Sequence, residues 1–137
     1  FHHGHVEFLK QARDLGGYLI VGVASDDDAA DGKRHPILNI EERTKVMAAC
    51  RYVDEVIPNA PWRIDASWIA QHHIDIVVHG DDYDKKELDD YYRVPIEMGI
   101  FHTVPYSYGI STTEIILRCK QADLGSKKLP SSTRPLW

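Results

Sequence analysis

The chain opens on His2-His3-Gly4-His5, directly ahead of an apolar pattern at helical spacing. A helix N-terminus presents unpaired N–H groups and a partial positive charge, which suits phosphate. Imidazoles at His2 and His5 can donate to phosphate oxygens and stabilise charge that develops in a transition state. Gly4 lets a ligand approach the backbone closely. On residue types alone, the same histidines could equally hold a metal ion.

Two further groups have the chemistry of anion sites. Gly109-Ile110-Ser111-Thr112-Thr113 places hydroxyls and amides at the start of a second helix, where they either meet anionic oxygens or simply cap the helix. Lys33-Arg34-His35 is a cationic loop that could close over a polyphosphate, or be a solvated charge cluster. No Ser–His–Asp arrangement for nucleophilic catalysis stands out.

These residues need elements to position them, and helix and strand patterns alternate along the chain. Val6, Leu9 and Ala12, with Phe8 and Leu15, predict a helix over 6–15 that Gly16-Gly17 stops. Tyr18 to Ala24 is a nearly unbroken apolar run, as in a strand buried on both faces of a parallel sheet. A polar loop spans Ser25 to Leu38. Asn39 with Glu42 starts a helix through Val46, Met47 and Cys50. Val53, Val56 and Ile57 form a strand that Pro58 closes. Ala66 to His72 reads as a short helix with Ile69 inward, and Ile74 to Val78 as a second buried strand. Lys86 to Met98 is helical in part, with Pro95 interrupting, and Phe101 to Val104 is a last strand. Ser111 to Glu114 opens a final helix.

The alternation predicts a doubly wound parallel α/β sheet with helices on both faces, whose ligands sit beyond the carboxyl ends of the strands. The helix at 6–15 has no strand leading into it, so an apolar strand is expected before Phe1. Residues 1–122 read as one catalytic domain, and 123–137, rich in Gly, Ser, Lys and Pro, as a weakly ordered extension.

Composition narrows the function classes. The 137 residues are 43% hydrophobic and 27% charged, enough for one domain with a real core. No apolar run approaches the ~18 residues of a membrane span, and the polar start is not a signal peptide. A net charge of −5 argues against a nucleic-acid partner, because duplex affinity rests on cationic neutralisation of phosphates. Cys50 and Cys119 make no disulfide framework and read as reduced core thiols of a cytoplasmic protein.

Taken together, FHHGH, YLIVGVASDD, PILNIEER, CRYVDEVIPNAPW, HIDIVVHGDD and GISTTEII stand in the order found in nucleotidyltransferases with a His-x-Gly-His motif. The chain resembles, in particular, the CTP:phosphoalcohol cytidylyltransferases over about Phe1 to Arg118. NAPW and the segment ending in MGIF look most like the phosphocholine and phosphoethanolamine enzymes. Gly80-Asp81-Asp82 followed by Tyr83 is closer to the glycerol 3-phosphate and sugar-phosphate branches.

The resemblance implies a Rossmann-like fold and transfer of CMP from CTP to a phosphomonoester, with release of pyrophosphate. It implies that His2 and His5 contact the triphosphate, that Lys33 bridges the acceptor and α-phosphates, and that Ser111, Thr112 and Thr113 cap the β- and γ-phosphates. Asp81 matches the nucleoside end, and Mg²⁺ arrives with CTP. A homodimer is implied, with Arg51-Tyr52-Val53 near its interface.

Trp62 and Tyr83 could form an aromatic cage for a quaternary ammonium, or Trp62 could pack at the domain edge. His79, beside Gly80-Asp81, is the best substrate contact among the remaining histidines; Trp68 is expected half-buried without a ligand role. One departure is plain: relatives carry an arginine shortly before the Ser-Thr, where this chain has Tyr106. Two other readings are a glycerol 3-phosphate or sugar-phosphate nucleotidyltransferase and a catalytically silent nucleotide-binding domain.

Overall fold

The computed structural model describes residues 1–32, 35–82, 85–105 and 109–122. Lys33, Arg34, Tyr83, Tyr106 and the extension at 123–137 lie outside the described residues. The elements run α1 (His3–Leu15), β1 (Ile20–Val23), α2 (Asp26–Gly32), α3 (Ile40–Ala48), β2 (Glu55–Pro58), α4 (Ala66–Gln71), β3 (Val77–Gly80), α5 (Lys85–Tyr91), α6 (Arg93–Glu97), β4 (Phe101–Val104) and α7 (Thr112–Gln121).

All described strand pairing is parallel, between β1 and β2 and between β3 and β4, giving two two-stranded sheets rather than one continuous one. Helices connect the strands, as parallel pairing requires. α3 packs on β1 and β2, and α1 packs on β4. The core is built from Leu9 and Ala12 of α1, Val23, Ala60, Ile69, Val77 and Val104. β1 is only half-buried apart from Val23, and Gly22 is exposed, so the run at 18–24 is not enclosed on all sides as its composition predicts. Among the described residues, one edge of β1 has no neighbouring strand.

Local chemistry explains the other differences. The expected loop at 25–38 contains α2, whose first turn is Asp26, Asp27 and Asp28. Carboxylates complement the positive end of the helix dipole, and Ser25 Oγ accepts from the Asp28 N–H at 3.0 Å. α3 starts where expected, with Asn39 Oδ1 accepting from Glu42 N–H and Glu42 Oε2 accepting from Asn39 N–H, both at 2.9 Å. It stops at Ala48, short of Cys50.

The third strand starts at Val77 rather than Ile74. His73 takes a left-handed φ of 52°, and the Ile74 N–H closes α4 on the Ile69 carbonyl at 3.0 Å. That closure uses residues the apolar pattern assigned to the strand. Pro95 lies in the first turn of the short α6, where its missing N–H costs nothing, and its side chain is fully buried. Both cysteines are free, but Cys119 is exposed and Cys50 half-buried. The core-thiol expectation is therefore corrected: Cys119 lies on the outer face of α7.

Asp26 and Arg43 tie the carboxyl end of β1 to α3. Arg43 Nη2 donates to Asp26 Oδ1 at 2.5 Å and to the Ala24 carbonyl at 2.9 Å, and its Nε donates to the Leu38 carbonyl at 3.1 Å. The guanidinium, and the Ile40 N–H behind it, hold the Asp26 carboxyl below its usual range.

Candidate active site

His2 is the N-cap of α1, in extended conformation, and Gly4 and His5 lie in the first turn. The His2 backbone N–H donates to His5 Nδ1 at 3.3 Å, and the two imidazoles sit 4.0 Å apart between centroids. The Phe1 ring stacks on His5 at 5.7 Å. Burial, then the neighbouring His2, push the His5 pKa down to about 4. Burial lowers His2 as well. His5 is thus neutral at pH 7. Since its Nδ1 accepts, its proton is on Nε2, where it can be donated to an anionic oxygen.

His2 Nδ1 is buried with no hydrogen-bond partner among the described residues. A Cβ on Gly4 would come within 3.1 Å of that atom and 3.3 Å of Ile110 Cγ2. Gly4 therefore makes room for the His2 ring and for the loop before α7.

At the facing helix, Ser111 caps α7, its Oγ accepting from the Glu114 N–H at 3.0 Å. Ser111, Thr112 and Thr113 line the same cleft as His2 and His5, so two helix N-termini open on one space. The cleft has a volume of about 1220 Å³. Trp62 and His79 also line it. His79 Nδ1 donates to the Gly80 carbonyl at 3.0 Å, leaving Nε2 as its other functional atom.

Asp81 is exposed in the turn after β3, and it is Asp82 that reaches the cleft wall. Trp68 is half-buried as expected, and it too lines the cleft. Lys33, Tyr83 and Tyr106 lie outside the described residues, so the cage is represented here by Trp62 alone. The Trp62 ring stands edge-on to Tyr91 at 5.7 Å.

Tyr92 was not singled out by sequence. Its ring lies 5.2 Å from His79 and 5.0 Å from Phe101, and it lines the cleft. The signal was the adjacent pair Tyr91-Tyr92 at the break before Pro95: one ring turns to Trp62, the other to His79. Among the described residues, no three His, Cys, Asp or Glu side chains gather to hold a metal ion.

The family model described as cytidylyltransferase-like matches residues 1–118. An ethanolamine-phosphate cytidylyltransferase of Arabidopsis thaliana is 46% identical over 125 residues, which is 86% of this chain and 30% of that protein. The choline-phosphate cytidylyltransferase A of Homo sapiens is 43% identical over 121 residues, 86% of this chain and 33% of that one. The chain thus spans about a third of the length of these relatives. A lipopolysaccharide core biosynthesis protein from Thermoplasma volcanium superposes with a TM-score of 0.60 at 26% identity, covering 80% of this chain and 89% of its own.

Proposed function

The chain belongs to the cytidylyltransferase-like family, and from that premise we propose that it transfers CMP from CTP to phosphoethanolamine or phosphocholine, releasing pyrophosphate and giving a CDP-alcohol for phospholipid synthesis. The observation that carries the proposal is the pair of helix N-termini, with His2 and His5 on one and Ser111 to Thr113 on the other, opening on one cleft.

A phosphomonoester has a second pKa near ~6, so the acceptor is largely dianionic at neutral pH and needs no general base. Its oxygen attacks the α-phosphorus of CTP as the bond to the β-phosphate oxygen breaks, and that electron pair leaves on pyrophosphate. The enzyme's work is positioning and charge stabilisation. His5 Nε2–H donates to the oxygens that gain charge as phosphorus becomes five-coordinate, and His2 lies against it. Ser111, Thr112 and Thr113 hold the β- and γ-phosphates with the N-terminal end of α7. Mg²⁺ enters with CTP as part of the substrate. By the family resemblance, Lys33 bridges the two reacting phosphates, and Asp81 and Tyr106 bind the nucleotide. Trp62, His79 and Tyr83 receive the alcohol headgroup.

The reading includes a cytoplasmic location and a homodimer formed around Arg51, Tyr52 and Val53. A pyrophosphate-release assay over four nucleoside triphosphates and a panel of phosphoalcohols tests the substrate assignment. Preference for CTP with either amino-alcohol phosphate supports it. Preference for glycerol 3-phosphate or a sugar phosphate transfers the assignment to that branch.

A further inference from the structure

Consecutive residues of the loop after β2 meet consecutive residues at the end of α5. The rings of Trp62 and Tyr91 lie 5.7 Å apart between centroids with their planes at 88°, the favoured edge-to-face arrangement of an aromatic pair. Next to them, Arg63 Nη2 donates to Asp90 Oδ2 at 2.8 Å. The Arg63 guanidinium carbon also stands over the Tyr91 ring, 5.9 Å from its centroid, within the ~6 Å reach of a cation–π contact. Tyr91 is thus held between Arg63 and Trp62. Among the described residues, Tyr91 is the one ring that Trp62 meets.

The loop itself fixes the backbone of Trp62 and not its ring. It leaves β2 at Pro58 and turns at Asn59 with a left-handed φ of 55°. Ala60 is buried, and its N–H donates to the Val23 carbonyl at 3.1 Å. On the far side, Asp65 Oδ1 accepts from the Trp68 N–H at 2.8 Å and starts α4. Between these anchors Pro61 and Arg63 are exposed, and Trp62 lies half-buried against the cleft. Tyr92, next after Tyr91, stands 5.2 Å from His79, so one helix end braces both Trp62 and His79. The Arg63–Asp90 pair is 67% and 57% exposed in its side chains, and a pair so exposed adds little to stability. What it does supply is a guanidinium fixed over Tyr91 and a neutralised charge one residue from Trp62.

We propose that Arg63, Asp90 and Tyr91 are positioning residues that set the direction of the Trp62 ring, and through it the preference between amino-alcohol headgroups. This rests on the reading of the cleft as a cytidylyltransferase site with Trp62 at the headgroup. Trp62 lines the cleft while Arg63, Asp90 and Tyr91 do not, so the three act through Trp62 and not by touching substrate. A quaternary ammonium has no N–H to donate. Its recognition depends on a desolvated approach to an aromatic face, and so on where the ring points. A primary ammonium keeps its N–H donors and is held by hydrogen bonds even when the ring is displaced. Loosening Trp62 therefore costs phosphocholine more than phosphoethanolamine. CTP, bound at the two helix N-termini, is not affected.

The test joins fluorine NMR to steady-state kinetics. Protein labelled with 5-fluorotryptophan gives separate lines for Trp62, Trp68 and Trp137, assigned by Trp→Phe variants. Tyr91→Leu should displace and narrow the Trp62 line and leave the Trp68 line in place, and Tyr91→Phe, which keeps the ring, should restore it. In kinetics, Tyr91→Leu should raise the KM of phosphocholine about 3–10-fold, the worth of an edge-to-face pair. The KM of phosphoethanolamine should rise by less than half that factor, with kcat and the KM of CTP unchanged. Arg63→Met and Asp90→Asn should each give a smaller rise of about 2–3-fold, and the double variant no more than the larger of the two. If Tyr91→Leu does not fold, Arg63→Met must displace the same line. A Trp62 line that stays in place overturns the inference. So does a displaced line with both phosphoalcohol KM values unchanged, or with those of CTP and both phosphoalcohols raised alike. No turnover with either phosphoalcohol overturns the functional reading, while the fluorine spectra still decide the positioning role.

Discussion

Gly22→Ala should destabilise the protein through one contact. A Cβ at Gly22 would stand 2.7 Å from the Cβ of Ala60. Carbon atoms pack best at about 3.5–4.0 Å, so the overlap is roughly an ångström. Neither methyl has a rotamer to change, and Ala60 is only 8% exposed, so the backbone of β1 or of the loop at 59–62 must move. Overpacking of this kind costs about 1–3 kcal/mol, and the reduced freedom of the unfolded chain returns about 0.4–1 kcal/mol. The net loss should be about 0.5–2 kcal/mol, a fall in Tm of roughly 2–8 °C for a domain of this size. Ala60→Gly alone should also destabilise, by losing a buried methyl and loosening the loop. The double variant should be more stable than the sum of the two by at least about 1 kcal/mol, because the second change vacates the space the first needs. Because Ala60 lies two residues before Trp62, Gly22→Ala should also raise the KM of the phosphoalcohol more than that of CTP. Thermal unfolding of the four proteins decides it: a Gly22→Ala protein as stable as the parent, or a coupling below about 0.5 kcal/mol, refutes the packing argument.

Four further outcomes are expected. His5 should titrate near pH 4 by NMR; since its folded pKa is below the ordinary value, the unfolded chain takes up the proton first, so stability is full above about pH 6.5 and declines toward pH 4, less so in His5→Asn. His2→Ala and His5→Ala should each lower kcat about 10²-fold or more with a smaller effect on CTP affinity, measured by steady-state kinetics and calorimetry. Trp62→Ala should raise the KM of phosphocholine by a far larger factor than the KM of CTP, in steady-state kinetics, and Trp62→Phe should restore part of it. Tyr106→Arg should tighten CTP by about 1–3 kcal/mol in a calorimetric titration, the worth of a charge-assisted hydrogen bond.

The parts of the fold set by local chemistry were legible in the sequence. Asn39 and Glu42 wrote the start of α3, Ser111 that of α7, and Ile69 the inward face of α4. The motif histidines came together with Ser111 to Thr113 because each opens a helix on the same side of the parallel strands. α2 was hidden because Asp-rich sequence carries no apolar period, although its carboxylates favour a helix start. The shift of β3 was hidden because Ile74 looks like strand and is spent closing α4. Tyr92 was missed because its contact with His79 joins residues on different elements, and no spacing rule encodes that.

The most direct test follows the label from [α-³²P]CTP into product, with phosphoethanolamine and with phosphocholine. The account predicts label in the CDP-alcohol in equal amount to the pyrophosphate released, and its loss when His2 and His5 are both alanine. CTP binding without label transfer to any phosphomonoester would contradict it and leave a nucleotide-binding domain without catalysis.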